Sequence, residues 1–376
     1  MRQIYQLVHT LNYGDAISGE TLAIKSLLNK MGIRNEIYSL HAHEKVIQHR
    51  KPWTALREDY NKALGTGEEV IAILHYSIAS LFDEVFMDLS RALRVVIYHN
   101  LTPPRWFHNY NARVERDLIA AQEKLGNLLA QADVLLADSE FNRQELLSVQ
   151  DREVEVLPLL LDLDKWQVEA NAGIARAIKS SAGKNILHVG RIAPNKCIED
   201  IIKAFYFYHH KIEPNSRLWL VGIDIDTEIY SLELRRLVAK LQLKEVVNFV
   251  GSVADSELRA FYENCDLYLC MSEHEGFCLP LLESMYFGLP VIAFDSCAIG
   301  ATLEDGGILL ERKDPAAVAE LMNILLTDSQ LRAKVIEGGK GRAKDFLPDK
   351  FAAHFERVLL QAIFGSESEY AKKRSL

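Results

Sequence analysis

Short apolar runs recur along the whole chain, separated by polar turns and amphipathic stretches. Runs at residues 4–8, 71–74, 95–98, 134–137 and 154–157 read as strands. A second series follows at 186–189, 218–221, 247–250, 267–270, 291–294 and 308–310. Most are β-branched or leucine-rich and do not alternate, which marks strands covered on both faces. Between them, apolar positions at helical spacing predict helices over 20–31, 115–131, 198–208, 231–241 and 255–264. Alternation of this kind predicts parallel α/β sheets. Two series predict two doubly wound, Rossmann-like domains. The joint falls in residues 164–184, which are rich in Ala, Gly, Ser and Lys and carry no strong strand. The domains are therefore expected at 1–165 and 166–349. An amphipathic helix at about 350–364 is free to pack back on the first, and the polar stretch 365–376 is expected to fray.

Composition narrows the function. At about 150 residues per domain, 376 residues also give two domains. The charge balance of 43 Lys+Arg against 52 Asp+Glu, net −9, disfavours a nucleic-acid binder and purely electrostatic attachment to anionic lipid. No apolar run approaches the roughly 18 residues of a membrane helix. The start reads as a strand rather than a signal peptide, so a cytoplasmic chain is expected. The five cysteines, Cys197, Cys265, Cys270, Cys278 and Cys297, are odd in number and form no CxxC pair. Reduced thiols are the expectation.

Open α/β sheets bind ligands at the carboxyl ends of their strands, so those edges hold the candidate chemistry. After the run 186–189 come Gly190, Arg191 and Lys196, ahead of a helix. Two cations oppose a helix N-terminus unless an anion lies between them and the free backbone N–H groups. The segment reads either as a phosphate grip or as a solvated basic turn. After 267–270 come Glu275, Gly276, Phe277 and Cys278, then a helix from Leu279 or Pro280 that carries Glu283. Glu275 sits in the loop and Glu283 two turns into the helix. Carboxylates suit vicinal hydroxyls, and the first N–H groups of the helix suit sugar oxygens or phosphate. The alternatives are dipole compensation for Glu275 and an exposed helix charge for Glu283. In the first half, Gly14 and Gly19 lie in the loop after the first strand, without a GxGxxG spacing. His75 and His99 end two further strands, and each reads equally as a site residue or as a histidine bonded to its own loop.

Taken together, these motifs resemble the retaining glycosyltransferases of the GT-B fold, family 4 (glycosyl transferases group 1). The resemblance rests on Gly190-Arg191 to Lys196, Glu275 to Glu283, residues 218–222 and 247–251, the run 288–293, and Asp138-Ser139-Glu140-Phe141-Asn142-Arg143. It implies two Rossmann-like domains facing across a cleft, with the donor side in the second. It implies that Arg191 and Lys196 bind the donor diphosphate and that Glu283 holds the ribose. Glu275 is implied to contact the donor sugar, with Gly276, Phe277, Cys278 and Leu279 around it. Gly251, Ser252 and Val253 are assigned to the base, His99 to the transferred sugar, and Gly14 to the loop facing the diphosphate. The implied reaction moves a hexose from GDP-mannose or a UDP-hexose to a glycan or lipid-linked acceptor in polysaccharide biosynthesis. No metal and no cofactor are expected, because paired cations can carry the leaving charge. Asp224-Ile225-Asp226 has the letters of a DxD motif but reads as a loop.

Cys278 stands where many relatives carry glycine, and residues 296–307 lack the family's usual acidic and hydrophobic phrase. A GT-B nucleotide-sugar epimerase and a catalytically silent GT-B-like subunit remain as alternatives. The basic, aromatic segments 41–53 and 105–110 read as solvated surface or as weak peripheral contacts with an anionic, lipid-linked acceptor at the inner face of a membrane. The oligomeric state has no signature in the sequence. Arg191 and Lys196 are both expected at an exposed edge, so that alanine at either position leaves the fold intact.

Overall fold

The protein is described by a computed structural model covering residues 2–180 and 182–364. The stretch 365–376, expected to fray, lies outside the described residues. The chain forms two compact units, one from the described parts of residues 1–101, 116–160 and 348–376, the other from 102–115 and 161–347. The division therefore differs from a single cut near residue 165: the segment 102–115 packs with the second unit.

The first unit is built on seven parallel strands: β1 (Arg2–Leu11), β2 (Arg34–Ala42), β3 (Arg50–Pro52), β4 (Glu69–Tyr76), β5 (Leu93–Tyr98), β6 (Val134–Ala137) and β7 (Glu155–Val156). Their order is β3-β2-β1-β4-β5-β6-β7. Helices cover both faces, which explains the lack of alternation along the strands. On one face Ile4, Ile71, Ile73, Val95 and Ile97 meet Ile24 and Leu28. Phe351, Phe355, Val358 and Leu359 of the helix Pro348–Phe364 join them, because their spacing makes one stripe on that helix. On the other face Tyr5, Leu7, Leu74, Tyr76 and Val96 pack with Phe82, Phe86 and Leu128. Burying each large side chain is worth about 2 kcal/mol.

Strands β2 and β3 have no counterpart in the sequence reading. Strand β2 starts on Arg34-Asn35-Glu36 and fully buries only Ile37, Tyr38 and Ser39, so its apolar signal is short. Strand β3 is an edge of three residues. The segment 41–53 accordingly holds strand ends and a short 3-10 turn at Ile47–His49.

The second unit is built on six parallel strands: β8 (Asn185–Val189), β9 (Arg217–Val221), β10 (Val247–Gly251), β11 (Leu267–Cys270), β12 (Val291–Phe294) and β13 (Ile308–Leu310). Their order is β10-β9-β8-β11-β12-β13. Its core joins Ile186, Leu218, Leu220, Leu267 and Leu269 to Ile198, Ile201, Ile202 and Phe205 of the helix Ile198–Lys211. Trp106 and Tyr110 pack against this core, which accounts for the placement of residues 102–115. The stretch between the two strand series contains a short helix, Ala172–Lys179, capped by Asn171.

Each sheet reverses its winding between a pair of neighbouring strands, β1 and β4 in the first and β8 and β11 in the second. Such switch points leave a crevice at the carboxyl edge. The Gly190–Lys196 and Met271–Cys278 loops follow β8 and β11, and Gly14 and His75 follow β1 and close β4. Among the described residues, no helix is long and apolar enough to cross a membrane.

Candidate active site

In the second unit three neighbouring strands turn at glycine. Gly190 donates to the Val221 carbonyl at 3.0 Å, and Gly222 donates to the Gly251 carbonyl at 3.0 Å. A Cβ on Gly222 would lie 1.8 Å from the Gly190 carbonyl oxygen, so only glycine permits this approach. The turns set the following residues along the carboxyl edge: Arg191 after β8, and Gly251 with the exposed Ser252 and half-buried Val253 after β10.

Arg191 is half-buried and donates from Nη2 to the Ile225 carbonyl at 2.7 Å. Burial lowers its pKa, while Asp226 and Glu228 oppose that effect. Asp226 is itself paired with Arg113 at 2.7 Å. Asp224–Asp226 therefore lies in a loop, as read, with one carboxylate committed to a protein cation.

Lys196 ends a 3-10 turn, Pro194–Lys196, which hands over to the helix Ile198–Lys211 through Cys197. Its ammonium meets both Oε1 and Oε2 of Glu275 at 2.6 Å. The lysine side chain is only 19% exposed and the glutamate 9%. This corrects the expectation of an exposed edge: Lys196 is half of a largely buried ion pair. Burial alone would lower the lysine pKa, but the Glu275 carboxylate and the Cys278 thiol outweigh it and hold it raised.

The loop that carries Glu275 is fastened by its carbonyls. Asn195 Nδ2 donates to the His274 carbonyl at 3.0 Å, the Ala298 N–H to the Glu275 carbonyl at 3.2 Å, and Thr302 Oγ1 to the Phe277 carbonyl at 2.7 Å. The N–H groups of Gly276, Phe277 and Cys278 have no partner among the described residues. They precede the helix Leu279–Phe287, so the fixed carbonyls leave a row of donors at a helix start. Cys278 has φ +74°, a left-handed conformation that favours glycine. A glycine would adopt that conformation without strain, as the resemblance implies for this position.

Glu283 is buried rather than exposed on its helix. Its Oε1 accepts from Lys165 at 2.8 Å and its Oε2 from the Tyr262 hydroxyl at 2.6 Å. Tyr262 stacks on Phe287 at 5.6 Å, and Lys165 lies 4.5 Å from the centre of the Trp166 ring. The carboxylate is thus held in one place by two elements far apart in sequence.

In the first unit His99 forms a buried polar cluster. Its Nδ1 lies 3.1 Å from Asp138 Oδ2 and its Nε2 lies 2.9 Å from His75 Nδ1. His75 Nε2 meets Gln6 Oε1 at 3.0 Å, while Gln6 Nε2 donates to the Thr21 carbonyl. That carbonyl fixes the Gln6 amide, so His75 is protonated on Nε2 and accepts on Nδ1. His99 then donates from both nitrogens. Burial opposes its charge, but Asp138 and Glu20 outweigh burial and raise its pKa to about 9. Burial and His99 together push His75 well below its ordinary value. Glu20 Oε2 stands 3.5 Å from His99 Nε2, and burial raises Glu20 to about 8. Gly14 is exposed with φ +83°, beside Asp15, whose side chain caps the helix Ala16–Lys30.

The structure therefore gathers Lys196, Glu275, Gly276, Phe277 and Cys278 at one switch point, with Arg191 on the loop that leads to Lys196 and Glu283 on the adjoining helix. His99 is gathered with Asp138 and Glu20. Both His99 nitrogens are engaged, so it offers an N–H to a ligand only if its bond to His75 opens. Sequence reasoning missed Glu20, Lys165, Tyr262 and His188. His188 is the penultimate residue of β8, with Nδ1 3.1 Å from the Leu269 carbonyl and a buried Nε2 that has no partner among the described residues. Burial lowers its pKa to about 4, so it is neutral. A histidine one residue before the strand end, two before Gly190, was the available signal.

Parts of the chain are similar to known proteins. Residues 175–342 match the family described as glycosyl transferases group 1. A D-inositol 3-phosphate glycosyltransferase of Salinispora arenicola is 26% identical over 64% of this chain and 58% of its own length. Across the first curated relatives, the matched part of the chain spans about half of their length (58%, 49% and 40%). Among solved structures, a sucrose-phosphate synthase of Thermosynechococcus elongatus superposes with TM-score 0.74 at 19% identity, over 97% of this chain and 100% of that one. HepE of Anabaena, solved with UDP-glucose, gives TM-score 0.74 at 18% identity, over 95% and 99%. The fold is that of the GT-B glycosyltransferases.

Proposed function

We propose, from the match of residues 175–342 to the glycosyl transferases group 1 family, that the chain transfers a hexosyl group from a nucleoside-diphosphate sugar to a glycan or lipid-linked acceptor, with retention at the anomeric carbon. The observation that carries this reading is one switch point whose two loops bring Lys196 to Glu275, ahead of a row of backbone N–H groups unpartnered among the described residues, with Arg191 on the same loop as Lys196. That combination suits a diphosphate attached to a sugar.

The chemistry follows from where charge develops. As the bond from the anomeric carbon to the β-phosphate oxygen breaks, the ring gains positive charge and the phosphate gains negative charge. Arg191 grips the phosphate with planar donors and Lys196 supplies a point charge. On binding, Lys196 exchanges part of its contact with Glu275 for phosphate, and Glu275 is released toward the sugar hydroxyls. Glu283, oriented by Lys165 and Tyr262, accepts from the ribose. Gly251, Ser252 and Val253 line the base. The acceptor hydroxyl attacks the anomeric carbon from the face the diphosphate leaves, and its proton passes to the departing phosphate oxygen. The step needs no protein nucleophile and no metal. The solved HepE complex, which holds UDP-glucose, supports a UDP-sugar as the first donor to try.

The test incubates the protein with radiolabelled UDP-glucose, UDP-galactose or GDP-mannose and a panel of saccharide and lipid-linked acceptors. A labelled glycoside of unchanged anomeric configuration is expected with one donor. Free UDP with no glycoside points to an epimerase, and no turnover of any donor points to a silent subunit.

A further inference from the structure

Two thiols flank the donor loop, and the transfer chemistry uses neither. Cys270 ends β11 and Cys278 precedes the helix Leu279–Phe287, with Glu275 and the free N–H groups between them. The two sulfurs and a Glu275 carboxylate oxygen all lie within 4.8 Å of one another. Cys270 Sγ is also 3.4 Å from Ser272 Oγ. Both thiols are buried, Cys270 completely and Cys278 with 8% of its surface left exposed.

We propose that Cys270 and Cys278 are a redox-modifiable pair, joined as a disulfide by a peroxide-class oxidant and reopened by thiols, and that the bridge shuts the donor loop. The Cys270 thiolate attacks one peroxide oxygen and the O–O bond breaks. Sulfur becomes a sulfenic acid, and the departing hydroxide takes a proton to leave as water. The Cys278 sulfur then attacks the sulfenic sulfur. The S–O bond breaks, a second water leaves with the Cys278 proton, and the S–S bond forms. Two thiols lose two electrons, and one hydrogen peroxide becomes two waters.

The pair has the environment such a step needs. The Cys278 sulfur lies within 4.8 Å of the Cys270 sulfur, and its thiol, aimed at that neighbour, lowers the Cys270 pKa. Lys196 places a cation near both sulfurs. Cys278, raised well above its ordinary value by Cys270 and by burial, keeps its proton; burial likewise pushes Cys197 up to about 12 and raises Cys265, so Cys270 alone among the buried thiols is lowered. Closing a sulfur separation of at most 4.8 Å to a bond of about 2.0 Å draws Cys278 toward β11. Cys278 is the helix cap, and Glu275 on the same loop is tied to Lys196. The movement therefore displaces the N–H row and the ion pair together.

The effect on nucleotide binding rests on the proposed donor site, whereas the bridge itself does not. In a Cys297→Ser background, which removes the half-exposed thiol, the protein is treated with hydrogen peroxide and then alkylated. It is cut with a protease specific for glutamate, which separates Cys270 from Cys278 at Glu273 and Glu275. A disulfide-linked peptide pair is expected, lost on reduction and absent from both Cys270→Ser and Cys278→Gly. UDP, GDP and ADP are titrated in parallel. Oxidation is expected to weaken the nucleotide that binds at least tenfold, reversibly, while Cys270→Ser binds like the reduced protein and ignores peroxide. Recovery of both cysteines as unlinked peptides overturns the bridge. A linked pair with unchanged nucleotide affinity overturns the shutting of the loop. If the reduced protein binds no nucleotide, the donor-site reading fails while the peptide pair still decides the bridge.

Discussion

Lys196 is gripped by both carboxylate oxygens of Glu275, each at 2.6 Å, and neither side chain is more than one-fifth exposed. The cation assigned to phosphate and the acid assigned to sugar are thus each other's counter-ions before any ligand arrives. The pair neutralises the site, and a bound diphosphate must draw Lys196 partly away.

This coupling gives the two residues distinct phenotypes. Lys196→Ala leaves Glu275 buried without its cation and should lower unfolding stability by about 3 kcal/mol. The double variant Lys196→Ala, Glu275→Ala should recover much of that loss in urea unfolding. Glu275→Gln should keep or tighten nucleoside-diphosphate binding while transfer falls. Equal stability of Lys196→Ala and the wild type would remove the buried-pair account.

Arg191 has no carboxylate within ion-pair distance among the described residues, and its one side-chain hydrogen bond among them goes to the Ile225 carbonyl at 2.7 Å. Its removal should leave the melting temperature nearly unchanged. The transfer rate should fall about 100-fold, as expected for one donor aimed at a developing charge. Arg191→Lys should restore part of the rate, since lysine keeps the charge but loses the planar grip. Steady-state kinetics on the three proteins, with melting curves as controls, check this.

Glu283 is held by Lys165 and Tyr262, so changes to those partners should act through it. Tyr262→Phe removes one donor and should cost about 1 kcal/mol of stability. It should raise the KM for the donor more than it lowers kcat. A change in kcat alone would place Glu283 elsewhere in the reaction.

The His99 cluster makes a prediction about pH. Asp138 and Glu20, outweighing burial, raise His99 from 6.5 to about 9, so its charged form stabilises the fold. That contribution is complete below about pH 6.5 and is lost as the pH rises through about 9. Glu20, raised from 4.5 to about 8 by burial, acts in the same direction over a lower range. His75 is depressed, so its contribution is instead lost on acidification. Unfolding free energies measured from pH 6.5 to 9.5 should fall more steeply in the wild type than in Asp138→Asn. NMR titration of the imidazoles should find His99 charged at pH 7.5 and His75 neutral.

The fold was legible because buried parallel strands announce themselves as unbroken apolar runs. The run 267–270 coincides with β11, and the run 291–294 with β12. Strands β2 and β3 were hidden because one is polar at its start and the other is a short edge. The motif residues of the donor loop were legible as types at a spacing. Their partners were not, since Lys165 and Tyr262 reach Glu283 across 118 and 21 positions of sequence. Burial was misjudged at Lys196 for a related reason. A lysine near a helix start looks solvated until the loop bearing Glu275, 79 positions on, folds over it.

The central claim is that the Gly190–Lys196 and Met271–Cys278 loops form a nucleoside-diphosphate site. Isothermal titration of the reduced protein with UDP, GDP and ADP, repeated on Arg191→Ala, tests it most directly. One nucleotide is expected to bind at a single site, and Arg191→Ala to bind it at least tenfold more weakly. Failure of all three to bind, or equal affinity in the variant, would contradict the account.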